Sequence, residues 1–248
     1  MRIGHLIVGS GLMARHWSHY MTLLGIPHRT WCRKLNALEE LTDLLSHSPA
    51  DPSDEPSISK VFLAISDSAI EAFHQNHMKN FKGTVFHFSG ATEVPEVASL
   101  HPLMSFGPSL YDLDHYQAIP LITTHELQLP EFPNPKFLIP ASDKSRYHAL
   151  CVIAGNFSVM IWQKFFYEME KYGIPLEACL PYFRQINSNL ESFPFSALTG
   201  PLMRNDIRTM ELNMHALHGD PFRDVYKHMV QAFELQLKAL QQAKKESP

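Results

Sequence analysis

The sequence predicts an α/β chain in which a doubly wound, mostly parallel sheet is followed by a smaller all-α region. Short β-type runs alternate with helical periodicity over the first 140 residues, and no convincing strand follows Ser142. Apolar residues make up 45% of the 248 and charged ones only 19%, which suits a real core in one large domain or two modest ones.

Residues 3–8 are a continuous apolar run and read as a buried strand. Met13, Trp17, Tyr20, Met21 and Leu24 then recur at helical spacing until Gly25 and Pro27 stop them. Residues 28–32 read as a second strand. Leu35, Leu38, Leu41, Leu44 and Leu45 mark a second helix, and residues 49–57 a polar, proline-bearing loop. Only one helix and a loop fit between Arg33 and Lys60, so the strand usual at that place is vestigial or absent. Residues 61–65 form a third strand, with a helix through Ile70, Phe73 and His77 after it; residues 84–88, 118–123 and 136–139 complete the strands. Repeated strand–helix–strand units imply a parallel sheet covered on both faces.

The texture changes near Pro140, so the expected domains are 1–140 and 141–248. Residues 143–171 read as one long helix, N-capped by Ser142 or Asp143 and ended by Gly173 and Pro175. Helical segments at 176–190, 203–217 and 221–244 follow, and residues 244–248 read as a disordered tail.

Composition excludes several classes. A formal charge of −4 argues against a protein that coats nucleic acid. Cys32, Cys151 and Cys179 are too few and too widely spaced for a disulfide framework or a CxxC zinc site, and fit a reducing, cytoplasmic compartment. The apolar N-terminus is broken too early for a signal peptide, and the apolar stretch 149–162 is too short to span a bilayer, so no membrane segment is expected. His74 with His77 and His215 with His218 have i,i+3 spacing but no evident third ligand, so solvated helix faces are expected and no metal. There is no GxSxG elbow and no GxxxxGK[ST] loop to support a hydrolase or an ATPase.

The sharpest local signal is Gly9-Ser10-Gly11-Leu12-Met13-Ala14, between a strand and a helix. This is the GxGxxA context of a Rossmann dinucleotide site. Gly9 permits the turn, Gly11 lets the backbone approach a pyrophosphate, and Ala14 lets the helix pack closely. A ligand-free strand–helix turn is the plain alternative. The second strand ends in Trp31-Cys32-Arg33-Lys34, with no acid for a ribose 2′-hydroxyl, so Arg33 and Lys34 favour the 2′-phosphate of NADP(H) over NAD(H). Ile65, Ser66, Ser89 and Gly90 end later strands at the crevice edge and are expected to border the cofactor. Asp67 reads best as the N-cap of the next helix. His101 lies in a loop at the same edge, as an acid, a ligand-orienting group or a loop-stabilising histidine.

Phe86-His87-Phe88-Ser89-Gly90-Ala91, residues 99–103, Tyr147-His148-Ala149, Gly155-Asn156-Phe157 and Ala197-Leu198-Thr199-Gly200-Pro201 with Arg204 and Asp206 resemble the family that joins a Rossmann-like domain to DUF2520. Its architecture is similar to pyrroline-5-carboxylate reductase, ketopantoate reductase and the 6-phosphogluconate dehydrogenase superfamily. The resemblance implies NADP binding by the first domain and dimerisation by the helical one. Asn205 stands where an Arg-Gly-Asp triplet would have glycine.

On the long helix, Lys144, His148 and Asn156 lie near one face and are candidates for polarising a carbonyl; Lys144 could equally be solvated, and Asn156 a hydrogen-bonded core residue. Arg204 could bind a substrate carboxylate, pair with Asp206 or cross a dimer interface. The Trp162, Phe165 and Phe166 cluster reads as core or subunit interface. The expectation is an NADP-dependent oxidoreductase acting on a small carbonyl, imine or hydroxy compound, with His101, His148 and Asn156 handling substrate and a homodimer as the working form. The alternatives are a non-catalytic NADP-binding sensor and a structural dimer with an empty cleft.

Overall fold

A computed structural model describes residues 4–46 and 58–246, so the loop expected at 49–57 lies outside the described residues. Strand β1 (His5–Val8) leads into helix α1 (Leu12–Leu23), and β2 (His28–Trp31) into α2 (Leu38–Ser46). Strand β3 (Lys60–Leu63) is followed by α3 (Asp67–Phe73) and a π turn (His74–Met78). Strands β4 (Thr84–His87) and β5 (Ala98–Ser99) complete a five-stranded sheet in the order β2-β1-β3-β4-β5, with every pair parallel. One described helix separates β2 from β3, as their short spacing predicts.

The strands read as unbroken apolar runs because both faces are covered. Ile7, Phe62 and Phe86 are in register and point to one face, where they meet Trp17 and Tyr20 of α1. Leu6, Val61 and Val85, one residue earlier, point to the other face with Ile70 of α3. The Phe62 and Phe86 rings stack at 5.0 Å between centroids.

A smaller sheet follows. Strand β6 (His101–Pro102) runs antiparallel to β7 (Leu121–Thr123), which pairs in parallel with β8 (Lys136–Leu138). The strand expected over 118–123 is shorter than that. Residues up to Ala118 belong to helix α4 (Leu113–Ala118), whose N-cap Asp112 accepts from the His115 amide at 2.8 Å. Asn134 ties these pieces together: it accepts from the Tyr20 hydroxyl at 2.6 Å and donates to the carbonyls of Tyr116 and Ile119.

The expected single helix over 143–171 is a composite. A 3₁₀ turn (Ala141–Asp143) leads into α5 (Lys144–Val152), a π turn (Ile153–Phe157) and α6 (Ser158–Lys171). Neither Ser142 nor Asp143 caps it through its side chain. By length and composition alone this 31-residue stretch passes as a membrane span, which residues 149–162 by themselves did not. None of the side chains of α6 is buried in the chain.

The chain divides into two compact units at residues 163 and 164, later than the change of texture at Pro140. The reason is that α5 is fastened to the loop after β4 through Lys144 and Ser145, and to β6 through Tyr147. The second unit holds α7 (Leu176–Ser192), α8 (Ile207–Ala216) and α9 (Phe222–Glu246). Residues 201–205 are turn, not helix, and α9 continues through three residues assigned above to a tail. Within this unit Phe165 meets Tyr182, and Phe166 meets Phe183.

Candidate active site

The glycine turn is dictated locally. Gly9 has φ +137°, and a Cβ there would lie 2.1 Å from the carbonyl oxygen of Ala64, so no other residue fits. Its amide donates to the carbonyl of Trp31 at 2.8 Å, which fastens the turn to β2. Gly11 is the N-cap of α1 and faces open space: among the described residues no atom beyond its chain neighbours lies within 4 Å of where its Cβ would be. The first amides of α1 have no intrahelical acceptor, and the helix dipole adds partial positive charge there. That open, donor-lined space is where an anion can sit.

A cleft of about 840 Å³ opens from this turn. Gly9, Ser10, Gly11, Leu12, Met13, Arg33, Lys34, Ile65 and Ser66 all line it, so nine residues named from sequence converge on one cavity. Ala14 does not line this cleft; it is buried, 2% exposed, and supports the close packing of α1. Trp31, Cys32, Asn36, Phe73 and His77 also line the cleft and escaped the sequence reading. The place of Trp31 and Cys32 at a strand's carboxyl end was the available signal. His74, expected on a solvated face, is buried at 8% exposure on the π turn that continues α3. Among the described residues no group of three His, Cys, Asp or Glu side chains is placed to hold a metal.

A second pocket of about 210 Å³ shares Met13, Ala64 and Ile65 with the cleft and adds Asp67, Ser89 and His101. Asp67 is not the N-cap of α3. Ser66 holds that position, and the Asp67 carboxylate accepts from the Ser89 hydroxyl at 2.6 Å. The Ser89 hydroxyl in turn accepts from the amides of Ala91 and Thr92, which shapes the loop after β4.

Gly90 is the floor on which two histidines meet. A Cβ on Gly90 would lie 2.3 Å from Nδ1 of His148 and 2.9 Å from Nε2 of His101. The two rings stand edge to face with centroids 5.6 Å apart. His101 lies on β6, not in a loop, and its Nδ1 is 2.8 Å from the Tyr147 hydroxyl. Burial, with His148 and Lys144 nearby, pulls its pKa down to about 4; Asp67 opposes this weakly. His87 is fully buried and drops to about 4 for the same first reason. Both rings are therefore neutral at pH 7.

Lys144 is not solvated. It is 2% exposed, donates to the Thr92 carbonyl, and pairs with Glu93 at 2.8 Å. It clamps the loop carrying Ser89 and Gly90 and is not free to polarise a carbonyl. Asn156 is exposed on the π turn, so it is no core residue, and it is not gathered with His101 and His148. Arg204 is exposed in the turn before α8, where its charge helps lower the pKa of Asp206 after the stronger effect of hydrogen bonds from Thr209. Asn205 has φ +52°, the left-handed conformation that glycine adopts freely and asparagine tolerates better than most residues. That accounts for asparagine where the family resemblance would put glycine.

Residues 129–233 match the model of DUF2520, a domain of unknown function. No curated protein matches the chain in sequence. Among solved structures, a Bacteroides fragilis protein assigned as an NADP oxidoreductase aligns at TM-score 0.70 and 17% identity, covering 94% of this chain and 98% of that one. An imine reductase from Streptomyces aurantiacus aligns at 0.60 and 12%, covering 95% of each chain. A Plasmodium falciparum pyrroline carboxylate reductase with NADP bound aligns at 0.52 and 12%, covering 96% of this chain and 99% of that one. At these identities the likeness is one of fold: a Rossmann-type sheet followed by helices.

Proposed function

We propose that this chain, whose residues 129–233 form a DUF2520 domain, is an oxidoreductase that uses NADP(H) in preference to NAD(H) on a small carbonyl, imine or hydroxy compound. The observation that carries the reading is the meeting of Arg33 and Lys34 with the Gly9–Gly11 turn in one cleft, with no carboxylate lining it among the described residues. A nicotinamide dinucleotide, when bound, supplies or accepts a hydride. This chain's residues supply position and charge. The amides at the start of α1 suit a diphosphate. The Arg33 fork, with the charge of Lys34 beside it, suits a 2′-phosphate. Ile65 and Ser66 line the cleft, and Ser89 and His101 line the adjoining pocket, where Gly90 borders the histidines without lining either cavity. The fold shared with a protein assigned as an NADP oxidoreductase, an imine reductase and a pyrroline carboxylate reductase supports the same class.

Calorimetry of the full chain with NADPH and with NADH tests this. Binding of NADPH at least tenfold tighter than NADH is expected. Absence of heat with both, at concentrations that saturate ordinary dinucleotide sites, sinks the reading.

We also propose that the working form is a homodimer built on the helical unit. Phe193 and Phe195 are 62% and 102% exposed there, and α6 buries none of its side chains in its own chain. Light scattering on the purified protein distinguishes a dimer from a monomer.

A further inference from the structure

The Tyr147 hydroxyl holds His101, a side chain that lines the inner pocket. His101 has two ring nitrogens. Nδ1 is engaged by Tyr147 at 2.8 Å. Nε2 has no hydrogen-bond partner among the described residues, and the ring lines the 210 Å³ pocket. We propose that Tyr147 is a positioning residue that donates its phenolic proton to Nδ1 of His101, locks the ring with its hydrogen on Nε2, and so makes His101 a neutral hydrogen-bond donor to the substrate's acceptor atom rather than a titrating acid.

The direction of the Tyr147–His101 bond follows from which donor needs an acceptor. Among the described residues the side-chain hydrogen bond of the Tyr147 hydroxyl goes to Nδ1 of His101. If the imidazole donated to the phenol, the phenol proton would be left without that acceptor and Nε2 would be bare. With the phenol donating to Nδ1, its proton sits on a good acceptor and the ring's hydrogen goes to Nε2. Burial also raises the pKa of the phenol, which keeps that proton in place at neutral pH.

The surroundings keep the ring uncharged. His148 and Lys144 face it from α5, Asp67 from α3 and His87 from β4. Lys144 and the desolvated site oppose an imidazolium, and the single carboxylate of Asp67 is already turned to Ser89. Gly90, lacking a Cβ, leaves the room in which the His101 and His148 rings sit. A neutral imidazole can polarise a carbonyl oxygen by donating a hydrogen bond without giving up its proton.

The proposal deepens the oxidoreductase reading and rests on it for the identity of the acceptor. Nitrogen-15 spectra of the histidine rings in the full chain test it directly. The expected result is a His101 signal with Nε2 protonated and Nδ1 bare, unchanged from pH 5.5 to pH 8.5. Tyr147→Phe is expected to give a mixture of tautomers in a ring that stays neutral at pH 7. A proton on Nδ1 in the wild type, titration between pH 5.5 and 8.5, or no change in Tyr147→Phe overturns the proposal. Addition of NADPH separates the two readings. Shifts in the Gly9 and Gly11 amides together with His101 support both. Shifts in the glycines alone leave the dinucleotide site standing and remove His101 from it. No shift at either place removes the dinucleotide reading itself, while the tautomer remains as measured.

Discussion

Gly90 and His148 are in contact so close that any side chain on the glycine would collide with the imidazole: the built Cβ lies 2.3 Å from Nδ1. The collision falls on a ring, not on the end of a flexible chain, and the same Cβ would crowd His101. Gly90→Ala is therefore expected to destabilise the fold by about 1–3 kcal/mol through overpacking. It should also disturb the His101 ring signal. Thermal melts and the nitrogen-15 spectrum check this; an unchanged melt and spectrum would show that the two histidines do not close over Gly90.

Gly9 and Gly11 make a matched pair with opposite outcomes. Gly9→Ala forces a Cβ against the Ala64 carbonyl at a backbone angle closed to alanine, and should cost roughly 3 kcal/mol or more. Gly11→Ala meets no atom and keeps an ordinary φ of −74°, so the fold should lose no more than about 1 kcal/mol. Its methyl, however, enters the space reserved for the diphosphate. A folded Gly11→Ala protein that still binds NADPH with wild-type affinity would refute the placement of the phosphates.

Arg33 is exposed at the rim of the cleft, so its replacement should spare stability and change only recognition. Arg33→Asp removes a charge-assisted contact to the 2′-phosphate and supplies a carboxylate suited to a 2′-hydroxyl. NADPH affinity is expected to fall roughly 10–100-fold, with NADH binding retained or improved. Equal losses for both nucleotides would mean that Arg33 does not read the 2′ position.

The buried histidines make stability depend on acid in a definable window. His87 and His101 have folded pKa values of about 4, below the ordinary 6.5, because burial disfavours the imidazolium. The unfolded chain therefore takes up protons first as the pH falls. The stabilisation they contribute is complete above about pH 6.5 and is lost as the pH drops toward 4, on the order of 3 kcal/mol for each residue. Urea unfolding at pH 7.0, 5.5 and 4.5 should show this fall, and His87→Leu should flatten it. An equally steep fall in His87→Leu would show that His87 does not contribute to the dependence.

The dinucleotide half of the molecule was legible because its determinants are local. A strand, a Gly9 turn and the open end of a helix are contiguous, and the left-handed backbone at Gly9 can be inferred from a dozen residues. Alternating apolar runs likewise expose the strand order's raw material, since a strand buried on both faces must be apolar throughout. The boundaries at 118–123 and 203–217 were less accessible, because short caps such as Asp112 and the left-handed Asn205 decide them.

The sequence by itself determined the glycine turn, the basic pair beside it and the succession of strands and helices, because each depends on residues within one or two turns of chain. Only the tertiary structure decided that His101 meets Tyr147 across 46 residues, that Lys144 is spent on the Thr92–Glu93 loop, and that Asp67 serves Ser89 and not a helix end. Those pairings arise when the crossover connections of a parallel sheet bring the carboxyl ends of distant strands to one edge. Spacing along the chain carries no record of that arrangement, so the chemistry of the inner pocket could be read only after folding.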